Sequence, residues 1–92
     1  MYALVVEVDV DTDRVEEALA LLHGQVVPSV KAAPGFVAGY WMGTPESGKG
    51  LSVSVYESEQ AARAAMENAP MPPEGAPVTI TRLEAMPMLA HA

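Results

Sequence analysis

Few side chains in this sequence have the type and spacing for chemistry. His23 is the only histidine inside a periodic segment. Its imidazole could act as a base at the mouth of a site, or sit at a helix boundary with one nitrogen in water. Ser52, Ser54 and Tyr56 recur at every second residue, so an extended backbone puts their hydroxyls on one face. They could line a polar site or a hydrated interior. Trp41, the single tryptophan, could stack on a planar ligand or fill a core. Arg82 could orient an anion or oxygen, or stand as a solvated rim charge. Asn68 is placed to cap a helix, and His91 lies in the C-terminal tail. The two histidines and the nearby acids lack metal-ligand spacing, so no metal is inferred.

Composition narrows what these groups can serve. Ninety-two residues make one domain, residues 1–92, and a chain this short buries only roughly 60 to 65% of its unfolded surface. Yet 50% of the residues are apolar, a surplus that a partner surface can hide. The absence of cysteine excludes disulfides and thiolate chemistry. A formal charge of −7 sets 12 acids against five bases. Those bases, Arg14, Lys31, Lys49, Arg63 and Arg82, are scattered singly, which argues against nucleic acid. No apolar run reaches the roughly 18 to 20 residues that span a bilayer, and no basic leader precedes the first strand. A cytoplasmic protein with no membrane contact is the expectation.

The elements that must position the candidates follow from periodicity. Residues 2–10 alternate, with Tyr2, Leu4, Val6, Val8 and Val10 on one face and Ala3, Val5, Glu7 and Asp9 on the other, which predicts a strand. Asp13 with Glu16 reads as a capping box. The helix that follows carries the stripe Val15, Ala18, Leu19, Leu22, Val26, Val30 and Ala33. The stripe keeps its spacing through Pro28, whose ring would meet the carbonyl of Gly24. A kink between Gly24 and Pro28 is predicted, two short helices being the alternative. Pro34-Gly35 ends this helix. Phe36 to Met42 is apolar on both faces, as expected of a strand buried from two sides rather than an exposed edge. Residues 43–50 read as a turn-rich loop. In the next strand Leu51, Val53 and Val55 oppose Ser52, Ser54 and Tyr56. Ser58 caps a second helix with charge pairs Glu59–Arg63 and Arg63–Glu67 and the inward stripe Ala62, Ala65, Met66 and Ala69. Its many alanines either let it sit close to the sheet or leave room for a ligand. Residues 70–77 are an extended loop, and Val78 to Met86 is the last strand, with Pro87 confining its end to a sheet edge or a departure from the sheet.

The order is βαββαβ. Right-handed crossovers put both helices on one face of an antiparallel four-stranded sheet, an α+β ferredoxin-like sandwich. The other face, with some of Phe36, Tyr40 and Met42, or of Val37 and Trp41, together with Tyr56, would be bare. Burying roughly 500 Å² of it per subunit is worth on the order of 12 kcal/mol before association costs. A homodimer through the sheet face is the expectation.

Three features carry a family resemblance: the order of elements, the helix ending Ala33-Pro34-Gly35-Phe36 before Tyr40-Trp41, and Tyr56-Glu57-Ser58-Glu59-Gln60-Ala61-Ala62 opening the second helix. Across nearly the whole chain they resemble the dimeric α+β barrel superfamily, and within it the antibiotic biosynthesis monooxygenase-like proteins. The resemblance implies two sheets packed as a barrel at a dimer interface, and a pocket between helices and sheet in each subunit. It also implies a cofactor-independent monooxygenase acting on a small hydrophobic, quinol-like aromatic. On that reading His23, Tyr56 and Arg82 are the catalytic candidates, Trp41, Ser54 and Met66 would contact the substrate, and no cofactor is needed. The family's haem-degrading branch uses an Asn on strand one, a Trp on strand three and a His on helix two. None stands at the matching places here, which disfavours haem. A non-catalytic ligand-binding or stress-associated homodimer is the alternative.

Overall fold

The computed structural model describes every residue except Pro70, and Pro45 by its backbone alone. Strand β1 (Tyr2–Val10) leads into a helical run of α1 (Val15–Leu21), a π-helical turn (Leu22–Val26) and α2 (Val27–Lys31). Then come β2 (Phe36–Thr44), a 3-10 turn (Pro45–Ser47), β3 (Lys49–Tyr56), α3 (Glu59–Glu67) and β4 (Val78–Pro87). The strands lie in the order β2-β3-β1-β4, each pair antiparallel. This is the expected ferredoxin-like arrangement.

The first helical run continues through Pro28, as its stripe requires. The irregularity falls at the π turn, where the Val27 N–H donates to the Leu22 carbonyl five residues back. Pro28 follows at the start of α2, where its missing N–H leaves no α-helical partner for Gly24. The capping box does not form. Asp11 Oδ1 accepts the Asp13 N–H at 2.9 Å, a local turn that delays the helix to Val15, and Arg14 caps it with no side-chain bond. Ser58 does cap α3, accepting the Ala61 N–H at 3.1 Å, and Arg63 Nε meets Glu59 Oε2 at 2.8 Å. The Asn68 side chain closes that helix by donating to the Ala64 carbonyl at 2.8 Å. The expected loop over residues 43–50 is shortened from both ends, because β2 and β3 pair as far as Thr44 and Lys49. In the predicted 70–77 loop, Pro70 lies outside the described residues.

Strand β2 corrects one expectation. It is an edge strand, and a bulge between Phe36 and Ala38 breaks the alternation there. Phe36 pairs with Tyr56, Gly39 with Ser54 and Trp41 with Ser52, so these residues share the face that bears the helices. Ala38, Tyr40 and Met42 pair with Val55, Val53 and Leu51 and lie on the helix-free face, where Tyr40 is 59% and Met42 51% exposed. The apolar character of β2 on both sides thus reflects two different surfaces, not a central place in the sheet. Tyr56 is not on the bare face either. It is 1% exposed, beneath the helix layer.

The core is small and lies under α3. Leu4, Tyr56 and Ala62 form its buried centre, with Tyr2, Val6, Ala33, Phe36, Ala61, Ala65, Met66 and Leu83 packed around it. The slim Ala62 side, with no exposed surface, lets α3 approach the sheet closely. The first helical run stands farther out. Only Ala18 of its stripe is buried, and Leu19 is 44% exposed.

Gly35 joins that run to β2 with φ +78°, and a Cβ there would lie 2.7 Å from the Ala61 Cβ. Gly35→Ala is expected to lower stability by about 2 kcal/mol, from the left-handed backbone and the clash with α3. Urea unfolding checks this through a lower midpoint at unchanged slope. Gly24→Ala, whose Cβ would meet nothing, leaves the midpoint undiminished.

Candidate functional site

Because the first helical run stands off the sheet, an apolar cleft of about 720 Å³ opens between them. Its floor is the helix-facing side of the sheet. Leu4, Val6 and Val8 from β1 and Ile80 and Leu83 from β4 lie on one side, and Trp41 from β2 on the other. Between them runs the β3 row of Ser52, Ser54 and Tyr56. The roof is the stripe of the helical run, including Leu19, Leu22, Val26 and Val30. Ala61, Ala64, Ala65 and Ala69 of α3 and the segment after it form one flank, with Met71, Pro72 and Pro73 lining that end. Polar groups are few: the three β3 hydroxyls, Gln25 and Ser29 from the roof, Asn68 and Lys49. An apolar enclosure with a few hydroxyls fixes the orientation of a ligand without attracting charge.

The expected site residues divide sharply. Ser54 is buried at 5% exposure, and its register partners Leu4 and Gly39 leave its hydroxyl in an apolar row. Tyr56 meets Phe36 edge-on, with ring centroids 6.1 Å apart at 73°, a geometry that fixes its ring. Trp41, Ser54 and Tyr56 are therefore brought together in the cleft. Met66 packs against the core cluster and is not part of the cleft lining. His23 is exposed on the π turn, also outside the lining, because the turn gives the cleft Leu22, Gln25 and Val26 instead.

Arg82 is on the opposite surface of the sheet. It pairs in register with Glu7, donates from Nη1 to Glu7 Oε2 at 3.2 Å and from Nε to Glu84 Oε2 at 2.9 Å, and its Nη2 bonds Glu84 as well. Hydrogen bonds to Glu84 and then Glu7 raise the guanidinium above its ordinary pKa. Its charge is spent within the sheet face, far from the β3 hydroxyls. Among the described residues lining the cleft, none is Asp, Glu or His. Its one cation, Lys49, is held by Asp9 Oδ1 at 2.6 Å.

The roof residues Gln25 and Ser29 and the flank residues Met71, Pro72 and Pro73 line the cleft without any signal of it in the sequence. The roof stripe was legible as apolar periodicity, but periodicity reads the same for a helix packed on a core and one facing a cavity. Among the described residues, no group of three or more His, Cys, Asp or Glu side chains is placed to hold a metal, and no helix is long and apolar enough to cross a membrane.

The family model described as antibiotic biosynthesis monooxygenase matches residues 1–71, which includes the first helical run and the β3 row but not β4. Among solved structures, the haem degrader of Mycobacterium tuberculosis with two haems in its active site is 13% identical, with TM-score 0.73 over 100% of this chain and 99% of that one. SnoaB, a cofactor-independent oxygenase from Streptomyces nogalater, is 14% identical, with TM-score 0.69 over 98% and 94%. A monooxygenase of Streptomyces coelicolor in complex with nanaomycin D is 21% identical, with TM-score 0.60 over 99% and 90%. Identities this low show a shared fold alone. No curated protein matches the sequence.

The division of the candidates is testable with an uncharged solvatochromic dye such as Nile red. Trp41→Ala and Ser54→Val are expected to change its affinity at least about threefold, since both side chains line the cleft. Arg82→Ala and His23→Ala leave it within experimental error. Equal effects of all four substitutions on dye titrations would disprove the placement.

Proposed function

The chain belongs to the antibiotic biosynthesis monooxygenase family, and on that premise we propose that it is a cofactor-independent monooxygenase of a small, hydrophobic, electron-rich aromatic of the quinol type. The observation that carries this reading is the apolar cleft with a single row of hydroxyls along its floor. Such a substrate supplies its own electrons. When the ring methylene of an anthrone, the keto tautomer of such a phenol, becomes a carbonyl, the substrate gives up four electrons and two hydrogens. One atom of dioxygen enters the product and the other leaves as water. What the protein must provide is a dry enclosure, a fixed orientation and hydrogen bonds to the substrate oxygen. Ser54 and Tyr56 are suited to hold the substrate oxygen, and Trp41 to stack on its ring.

Haem does not fit this cleft. Among the described lining residues there is no imidazole for the iron, and the one cation that could meet a propionate is already paired with Asp9. Hemin titration is expected to give no shifted, saturable Soret band.

Oxygen uptake with a panel of quinols and anthrones tests the oxygenase reading. The parent protein is expected to turn over at least one member, and Tyr56→Phe to lower that rate by about tenfold or more. No turnover by the parent across the panel, with the same compounds still bound, would favour a non-catalytic binding protein. That second reading draws on the absence of any carboxylate or imidazole among the described lining residues.

The helix-free sheet face is proposed to close against a second copy of the chain. Ala38, Tyr40 and Met42 with Val53 and Val55 form its apolar part, and the Glu7–Arg82–Glu84 cluster pairs its charges at the other end. Sedimentation at micromolar concentration is expected to show a dimer, and Tyr40→Asp a shift toward monomer. A stable parent monomer would overturn the assembly.

A further inference from the structure

Gly39 lies in β2 opposite Ser54, on the floor of the cleft, yet it does not line the cleft. Trp41 covers it. A Cβ built on Gly39 would stand 2.8 Å from Cη2 and 2.9 Å from Cζ3 of Trp41, and 3.3 Å from Cε1 of Phe36. The outer edge of the indole is therefore folded back along its own strand into the place a side chain at residue 39 would fill. Glycine inside a strand marks such a close approach. Of these two neighbours, Phe36 cannot readily shift to admit a methyl group. Phe36 is held edge-on by Tyr56, which is itself buried in the core. The free end of the Trp41 side chain is the group that gives way.

We propose that Gly39 is the specificity-determining residue of the cleft: by seating the Trp41 indole against β2 it keeps open the space above Ser52 and Ser54, and so sets the largest planar ring system the site admits. This rests on the reading of the cleft as an aromatic site and adds a size limit to it. Trp41 is the wall, and Gly39 determines where the wall stands. Gly39 touches no ligand itself and is a positioning residue.

Trp41 is the single tryptophan, so its emission reports the wall without any ligand. Gly39→Ala is expected to shift that emission to longer wavelength while far-UV circular dichroism stays unchanged. Calorimetry with a one-ring quinol and a three-ring anthrone then reads the size limit. Gly39→Ala should weaken the anthrone at least tenfold and the quinol less than twofold, and Gly39→Ala with Trp41→Phe should recover anthrone affinity to within threefold of the parent. Unchanged emission, or equal weakening of both ligands, overturns the inference while leaving the aromatic site in place. A parent protein that binds neither ring size overturns the aromatic-site reading and this inference with it. If Gly39→Ala does not fold, Trp41→Phe alone decides. It should tighten the anthrone relative to the quinol, and an unaltered ratio overturns the proposal.

Discussion

Ala62 has no exposed surface and belongs to the same buried cluster as Leu4 and Tyr56, and the rest of the molecule follows from that contact. An alanine at the point of closest approach lets α3 settle onto the sheet. Its axis can then lie nearer the strands than a helix bearing leucines would allow. The first helical run carries Leu19, Leu22, Val26 and Val30 toward the same sheet and has larger side chains to accommodate. One helix close and one helix distant leave a wedge of apolar space between the layers. The cleft is thus a product of unequal side-chain size across one helix layer.

The floor of that wedge is selective through what it lacks. Hydroxyls in a row can accept and donate but bring no charge, and the strong charges of the sheet are compensated on its other side or at its end. Arg82 is engaged by two carboxylates and Lys49 by one. An anionic ligand entering the cleft would lose hydration without gaining a counter-charge. A neutral aromatic loses little. Chemistry in such a place has to begin from the reactivity of the ligand, with the protein controlling orientation and water.

Much of the fold was legible because period-two and period-3.6 patterns are strong in this chain. The four strands, the two helices and the continuity of the first helical run through Pro28 followed from Val-rich alternation and the stripe, whereas the edge position of β2 did not. The errors have local physical causes. One extra residue at Val37 breaks the register between Phe36 and Ala38, so no reading of strict alternation could place Phe36 with Trp41 and Tyr40 apart from them. The Asx turn at Asp11 consumed the residues that looked like a capping box. For the site, Ser54, Tyr56 and Trp41 were visible as types at a spacing. The remoteness of Arg82 was not, because its face depends on pairing with Glu7 across the sheet. Gly39 was silent, since a glycine shows no chemistry until the side chain lying over it is known.

The π turn at Leu22–Val26 has a geometric consequence for the roof. In a regular helix each residue is rotated by about 100° from the last, and one extra residue per turn resets that phase. The roof is therefore two helical pieces offset in phase at the turn: α1 begins after the local bonds around Asp11, and α2 ends before the Pro34-Gly35 exit. Such a phase shift, inside an otherwise continuous helix, turns the side chains of one half of the roof toward the cleft at a different rotational setting from those of the other half.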